Sequence, residues 1–319
     1  MQFPLVHVSW AIADNADRPA CDVFFQDVFG AEPVYEILVT PETEKMGLDR
    51  EETLMMIGDT MVIPIAPAGR GAQEGAPTGD MLRRSAAPMR WLGLALKVRD
   101  LAEADAWFAA RGFKRHYDPG MEAHYFLVPR GQAMGVRLEI VKQDMPNEPR
   151  TRPDWSIARW RDSHPLGIEG LQAVGVSAPS LAEARELFGG KLEWPEIGSR
   201  DTATDGWCGA TCAAFAMGDT VLEALVGNGD AGGAAMSGKC PVSAHARDVK
   251  GIYHLVFKVK DAASAVSYLR GKGLTVIGNS ADRFAIHPEQ AHGRLIWFTE
   301  TTPEGYPEVG SKLDALAAF

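Results

Sequence analysis

Residues 251–273, GIYHLVFKVKDAASAVSYLRGKG, hold a strand, a turn and a helix in one run. From Tyr253 to Lys260 the residues alternate, with Leu255, Phe257 and Val259 on one face and His254, Val256 and Lys258 on the other. Asp261 opens a short amphipathic helix that Gly271 and Gly273 close. The apolar face suits packing on a helix, whereas a histidine and a lysine together point to a cavity. The same pattern stands at 91–113, WLGLALKVRDLAEADAWFAARGF. There Leu94, Leu96 and Val98 repeat the apolar face, Gly93, Ala95 and Lys97 repeat the other, and position 93 maps onto 254. The chain is internally duplicated.

Working outward, the remaining units fall into the same order. Residues 4–13, PLVHVSWAIA, form a strand carrying His7 and Ser9 on one face. A helix begins near Pro19, whose fixed φ suits a first turn, and ends at Gly30. Strands follow near Val34–Val39, Thr53–Ile57 and, past the Gly58-Asp59 turn, Thr60–Ala66. The second unit runs from Trp91 through a helix at Ala102–Arg111 to strands near Phe113–Tyr117, Tyr125–Pro129 and Val136–Lys142. The third opens at Gly170–Ala178, continues through a helix at Leu181–Phe188, and ends with AFAMGDTVLEALVG, 214–227, which matches LMMIGDTMVIPIAP, 54–67. The fourth ends with FAIHPEQAHGRLIWFTE, 284–300, which matches FLVPRGQAMGVRLEIVK, 126–142; both carry Gln-Ala-x-Gly before the last strand. Units one and three match, as do two and four. Linkers are expected at 68–88, 144–166 and 228–250, the second holding Trp155 and Trp160 as a packed strap. The domains expected are 1–145 (units one and two) and 167–319 (units three and four), joined by 146–166.

Composition narrows the class. A chain of 319 residues with 46% hydrophobic and 23% charged residues is a globular protein of about two domains. Its net charge of −10 argues against nucleic acid or an anionic membrane as partner. The opening MQFPLVHVSW enters a strand directly, and no apolar run reaches bilayer length, so a cytoplasmic protein is expected. Cys21, Cys208, Cys212 and Cys240 lack the spacing of a disulfide framework or a CxxC site and are read as free thiols.

Four βαβββ units in tandem resemble the vicinal oxygen chelate superfamily, which includes glyoxalase I, methylmalonyl-CoA epimerase, extradiol dioxygenases and bleomycin-resistance proteins. The pieces that carry the resemblance are PLVHVSWAIAD, GIYHLVFKVKD and AIHPEQAHGRLI. It implies an α+β fold in which units pair into two half-open barrels, each concave face able to hold one divalent metal. The ligand positions it implies are His7, Gly93, Gln172 and His254 on first strands, and Ile63, Glu139, Glu223 and Trp297 on last strands. Gly93, Ile63 and Trp297 have no metal-binding side chain. If units three and four pair, the site offers Gln172, Glu223 and His254, with Trp297 in the fourth place. If one and four pair, it offers His7 and His254; if one and two, His7 and Glu139.

The chemistry follows from those sets. Glu223 sits among aliphatic residues in VLEALV, where a lone carboxylate is costly unless paired or ligated. Glu139 shares its face with Arg137, which suits a salt bridge. A Gln172/Glu223/His254 site would take Fe, Mn, Zn, Co or Ni, which would polarise two adjacent oxygens and stabilise an enolate; His7 joins the metal candidates in the other pairing. Glu223 and His254 are the catalytic candidates, Glu223 alternatively as general base. Trp297 is read as a stacking wall, with Lys258 and His292 as further substrate contacts. The function expected is a metal-assisted isomerase or lyase acting on a small organic acid, ketone or thioester. The alternatives are an extradiol-type dioxygenase, which needs two histidines and a carboxylate on one face, and a metal-free binding protein. The partner expected is a small-molecule substrate, with a homodimer as an allowed assembly.

Overall fold

The computed structural model describes residues 3–45, 49–68, 82, 86, 91–118, 121–142, 149–201, 210–218, 220–227, 241–278 and 283–309. Most of the expected linkers at 68–88 and 228–250, with Cys208 and Cys240, lie outside those residues. In the first unit, β1 (Leu5–Ala11) leads to a helix at Arg18–Phe29, then β2 (Glu32–Ile37), β3 (Arg50–Ile57) and β4 (Thr60–Pro67). The second comprises β5 (Gly93–Lys97), a helix at Leu101–Ala110, β6 (Tyr125–Val128) and β7 (Arg137–Val141). The third comprises β8 (Ile168–Ser177), a helix from Leu181 to Lys191 whose last seven residues are π-wound, β9 (Glu196–Asp201), β10 (Ala210–Met217) and β11 (Thr220–Gly227). The fourth comprises β12 (Gly251–Val259), a helix at Ala262–Gly271, β13 (Val276–Ile277), β14 (Arg283–Ile286) and β15 (Leu295–Thr299).

Three of the four strand-to-helix steps use a polar cap. Asp100, Ser180 and Asp261 accept a backbone N–H three residues on, which satisfies an otherwise orphaned donor and contributes about 1 kcal/mol each. The helix at Arg18–Phe29 ends on Gly30, in the left-handed region at φ 66°.

Units one and two build a seven-stranded sheet in the order β2-β3-β4-β1-β5-β7-β6, and units three and four an eight-stranded sheet in the order β13-β14-β15-β12-β8-β11-β10-β9. Neither sheet closes on itself. The two units of each pair join at their first strands, β1 antiparallel to β5 and β12 antiparallel to β8. The strand expected at Phe113–Tyr117 shrinks to one bridge between His116 and Leu127. Lys114, Arg115 and His116 at its centre are polar, and Lys114 N–H already donates to Gln132 Oε1 at 2.8 Å.

That contact explains the recurring Gln-Ala-x-Gly. Gln132 grips Lys114 through both backbone groups, and Gln290 likewise accepts from Thr275 N–H and donates to Gly273 O. In both copies the x-Gly pair is left-handed: Met134 at φ 51° and Gly135 at 85°, His292 at 49° and Gly293 at 73°. The motif is a structural clamp.

Alternation sorts the side chains as the sequence pattern requires. Leu255, Phe257 and Val259 enter a large core shared by both halves, while Val256, Tyr253 and Trp297 lie in a separate cluster on the other face of the second sheet. Phe29, from the first unit, packs against Phe257 and Phe298 of the fourth. The Gly58-Asp59 turn also crosses between halves: Asp59 is fully buried, and its Oδ1 accepts from Leu171 N–H at 2.9 Å. The strap packs down as well, burying Trp155 and Trp160 in the first sheet's inner cluster.

Candidate functional site

The inner face of the second sheet holds a buried charged cluster centred on Glu223. Glu223 lies on β11 and His254 on β12, and both pair in register with Gly175 on the strand between them. Two strand spacings span about 10 Å of backbone. Only a missing side chain at the middle position lets the imidazole lie across it. A Cβ on Gly175 would sit 2.3 Å from His254 Nε2. Through that gap His254 Nε2 comes within 3.3 Å of Glu223 Oε2.

Two guanidiniums complete the cluster. Arg200, on the edge strand β9, donates to Glu223 Oε1 at 2.5 Å, and Arg283, on β14, donates to Oε2 at 3.4 Å. These strands belong to opposite ends of the strand order, so their convergence on one carboxylate measures how far the sheet curls. Tyr306, from the segment after β15, donates to Oε1 at 2.8 Å. Aromatic faces flank both cations, Tyr306 at 5.5 Å from Arg200 and Trp297 at 5.5 Å from Arg283.

Glu223 is 1% exposed. Burial pushes its carboxyl up, but Arg200 and Arg283, with His254, outweigh it and hold the group well below the usual carboxylate range. Glu223 is therefore ionised and a poor base. Its carboxylate instead assigns the His254 proton to Nε2, leaving the lone pair on Nδ1. Burial, followed by the Glu223 charge, pushes the Tyr306 phenol and the Cys212 thiol up, so both stay protonated.

The other residues picked from the sequence are more dispersed. Gln172 falls at an irregularity in the β8–β12 pairing, between Leu171 and Ala173, and donates through Nε2 to Thr301 O at 3.3 Å. Trp297 lines the inner cluster at 2% exposure. Lys258 bonds to Thr302 Oγ1 and pairs with Glu169 and Glu308, away from Glu223. His292 packs against Phe24 of the first unit, where burial lowers its pKa.

His7 belongs to the other sheet. It reaches Glu139 at 3.8 Å across Ala95, repeating the geometry of the second half. Burial lowers His7 to about 4 and raises Glu139, so both environments favour the neutral form. The sequence reading missed Arg200, Arg283, Tyr306 and Gly175; only Gly175, a glycine inside an apolar strand, left a signal.

The residues around Glu223 do not fit a divalent ion in this arrangement. Both carboxylate oxygens already accept from cationic or phenolic donors. At roughly 4 Å and an effective dielectric of about 20, a divalent ion and one guanidinium would repel by about 8 kcal/mol. Among the described residues, no three His, Cys, Asp or Glu side chains are grouped to hold a metal. Likewise, no described helix is long and apolar enough to cross a membrane.

No family model and no curated protein matches the chain. Solved structures do. A variant of 4-hydroxymandelate synthase from Streptomyces coelicolor aligns with 99% of this chain and 97% of its own at 15% identity and a TM-score of 0.66. BphC, a halotolerant catechol dioxygenase, aligns over 96% of this chain and 91% of its own at 11% identity and 0.53. A fusion of a xylose isomerase-like TIM barrel with a 4-hydroxyphenylpyruvate dioxygenase covers all of this chain with 51% of its own length, at 12% identity and 0.55. Identities this low speak to architecture, and with the two paired sheets they establish that this chain has the vicinal oxygen chelate fold, built as two half-open barrels.

Proposed function

We propose that this chain is an isomerase- or lyase-type enzyme that takes a small organic acid, ketone or thioester onto the inner face of the second sheet. The observation that carries the reading is the Glu223–His254 pair, held across Gly175 in a bowl lined by Ala173, Ala214, Ala285 and Trp297. An imidazole whose tautomer is fixed by a buried carboxylate is suited to move a proton. In this reading the His254 imidazole takes the proton from carbon next to a carbonyl and returns it, and Glu223 orients the ring. Trp297 walls the substrate, and the surrounding alkyl groups exclude water. The divalent ion implied by the family resemblance would have to displace Arg200 and Arg283, so no step is routed through one.

The same proposal places the protein in the cytoplasm, with a small-molecule substrate as its partner. It treats 1–145 and 167–319 as two units joined by 146–166. The test is deuterium exchange: 2-oxo acids, 2-hydroxy acids and acyl thioesters are incubated with the protein in heavy water and followed by proton NMR. Exchange next to the carbonyl that is lost in His254→Ala supports the enzyme. Saturable binding without exchange for any compound would favour the second reading, a binding protein, to which the saturated hydrogen bonding of Glu223 also points.

A further inference from the structure

We infer that Arg200 and Arg283 together supply the positive charge that a divalent ion would supply in a half-barrel of this fold, and that this site captures an anionic oxygen ligand, a small carboxylate, without metal. The inference rests on the placement of the functional site proposed above, in the second sheet.

The geometry makes the case. A carboxylate and a histidine on neighbouring inner strands are the beginnings of a cation site. Here the cation is already present as two side chains. Arg200 stands 2.5 Å from one oxygen of Glu223 and Arg283 stands 3.4 Å from the other, each oxygen facing one guanidinium. Arg283 also comes within 3.5 Å of His254 Nε2, so a guanidinium occupies the space beside both groups that a metal would share. The two arginines reach that point from strands at opposite ends of the sheet's strand order, β9 and β14.

Glu223 then serves as an anchor. It fixes two planar, always-charged groups in a desolvated bowl. The Arg200 side chain is 32% exposed and that of Arg283 13%, so each cation sits between the buried carboxylate and the protein surface, Arg200 more openly than Arg283. Guanidinium edges match a carboxylate through paired N–H donors, and such pairs strengthen where water is excluded. An aromatic flank on each cation, Tyr306 for Arg200 and Trp297 for Arg283, holds its plane. The ligand class that fits is a small monocarboxylate or dicarboxylate whose anionic end meets the arginines.

The experiment uses the full chain after chelator treatment, with oxalate and Co²⁺ as probes. Calorimetry should show oxalate binding in the presence of chelator, weakened at least tenfold in Arg283→Gln. Wild type should take up no stoichiometric Co²⁺. The double variant Arg200→Ala/Arg283→Ala, which exposes Glu223 and His254, should gain Co²⁺ binding, visible as new d–d absorbance that His254→Ala removes. Stoichiometric Co²⁺ in wild type would overturn the inference, as would oxalate binding that requires metal or is absent. The wild-type measurements decide the matter even if the double variant does not fold. Failure of the deuterium-exchange test would leave these binding results untouched, so the two proposals fail separately.

Discussion

Replacing Glu223 with glutamine removes the charge on which Arg200, Arg283, His254 and Tyr306 converge. Removing one partner of a buried ion pair costs about 3–5 kcal/mol, because the remaining charge is left desolvated. Two features lower that figure here. The Arg200 side chain is 32% exposed and keeps part of its hydration, and glutamine retains one oxygen to accept a bond. The expectation is a loss of about 2–3 kcal/mol at neutral pH, or a melting temperature lower by roughly 4–8 °C. Urea titration followed by tryptophan fluorescence reads it directly, with an unchanged slope showing that compactness is preserved. The effect should also depend on pH. The folded carboxyl lies well below its ordinary 4.5, so it contributes stability above that value and loses it as pH falls through the folded pKa. Wild type should therefore lose stability below about 4.5, the gap to the variant narrowing as it does. In a double variant with Arg283→Met, part of the loss should return, since no unpaired guanidinium remains there. A Glu223→Gln protein as stable as wild type at neutral pH, with the same acid response, would refute the reading of Glu223 as an ionised anchor.

Three further outcomes follow from the same structure. Gly175→Ala puts a methyl 2.3 Å from His254 Nε2 and must push the ring off Glu223; deuterium exchange should fall at least tenfold while far-UV circular dichroism is preserved, and an unchanged rate would reject the strand-crossing contact. His7, lowered by burial from 6.5 to about 4, binds its proton more readily in the unfolded chain, so stability present above 6.5 is lost as pH falls toward 4. That shift is worth about 3 kcal/mol, and His7→Phe should flatten the melting temperature across this window. Asp59→Ala strands the buried Leu171 N–H and should cost about 2–4 kcal/mol, whereas Asp59→Asn, which keeps an acceptor, should cost less than half of that by thermal unfolding.

The modular order was legible because two periodicities, two in strands and 3.6 in helices, recur with the same punctuation. Leu255, Phe257 and Val259 fall in the core as their alternation requires, and the helix end at Gly30 follows from cap chemistry. Glu223 was legible too, since a carboxylate in VLEALV must find a partner. Its partners were not. Arg200 and Arg283 belong to strands of the same sheet that lie far from each other in the strand order, and Tyr306 to a segment beyond the last strand. What unites them is the curl of the sheet, a property of twist accumulated over strands that no local pattern records. The partners of Lys258 were hidden for the related reason that parity assigns a face but not a depth. It shares the inner face with His254, yet sits where β12 runs out toward Glu169 and Glu308.

The two halves place a histidine and a glutamate in one geometry, but their surroundings push the carboxyl in opposite directions. In the first half His7 and Glu139 are 3.8 Å apart across Ala95, and burial drives each toward its neutral form. Trp155 and Trp160 pack into the inner cluster of that sheet. In the second half the same pair type is closer, at 3.3 Å, and two guanidiniums hold the carboxylate ionised in a bowl of small side chains. Shifting a buried pair toward its neutral forms is the less costly solution, and burial acts in that direction on both residues of the first half. Keeping a buried carboxylate charged requires Arg200, Arg283 and Tyr306 to be brought in from three separate segments, an arrangement that packing alone does not demand. This asymmetry is the physical reason for assigning chemistry to the second half. It requires that Glu139→Gln leave deuterium exchange and oxalate binding unchanged while Arg283→Gln weakens the second at least tenfold, and equal sensitivity of both halves would remove the ground for the assignment.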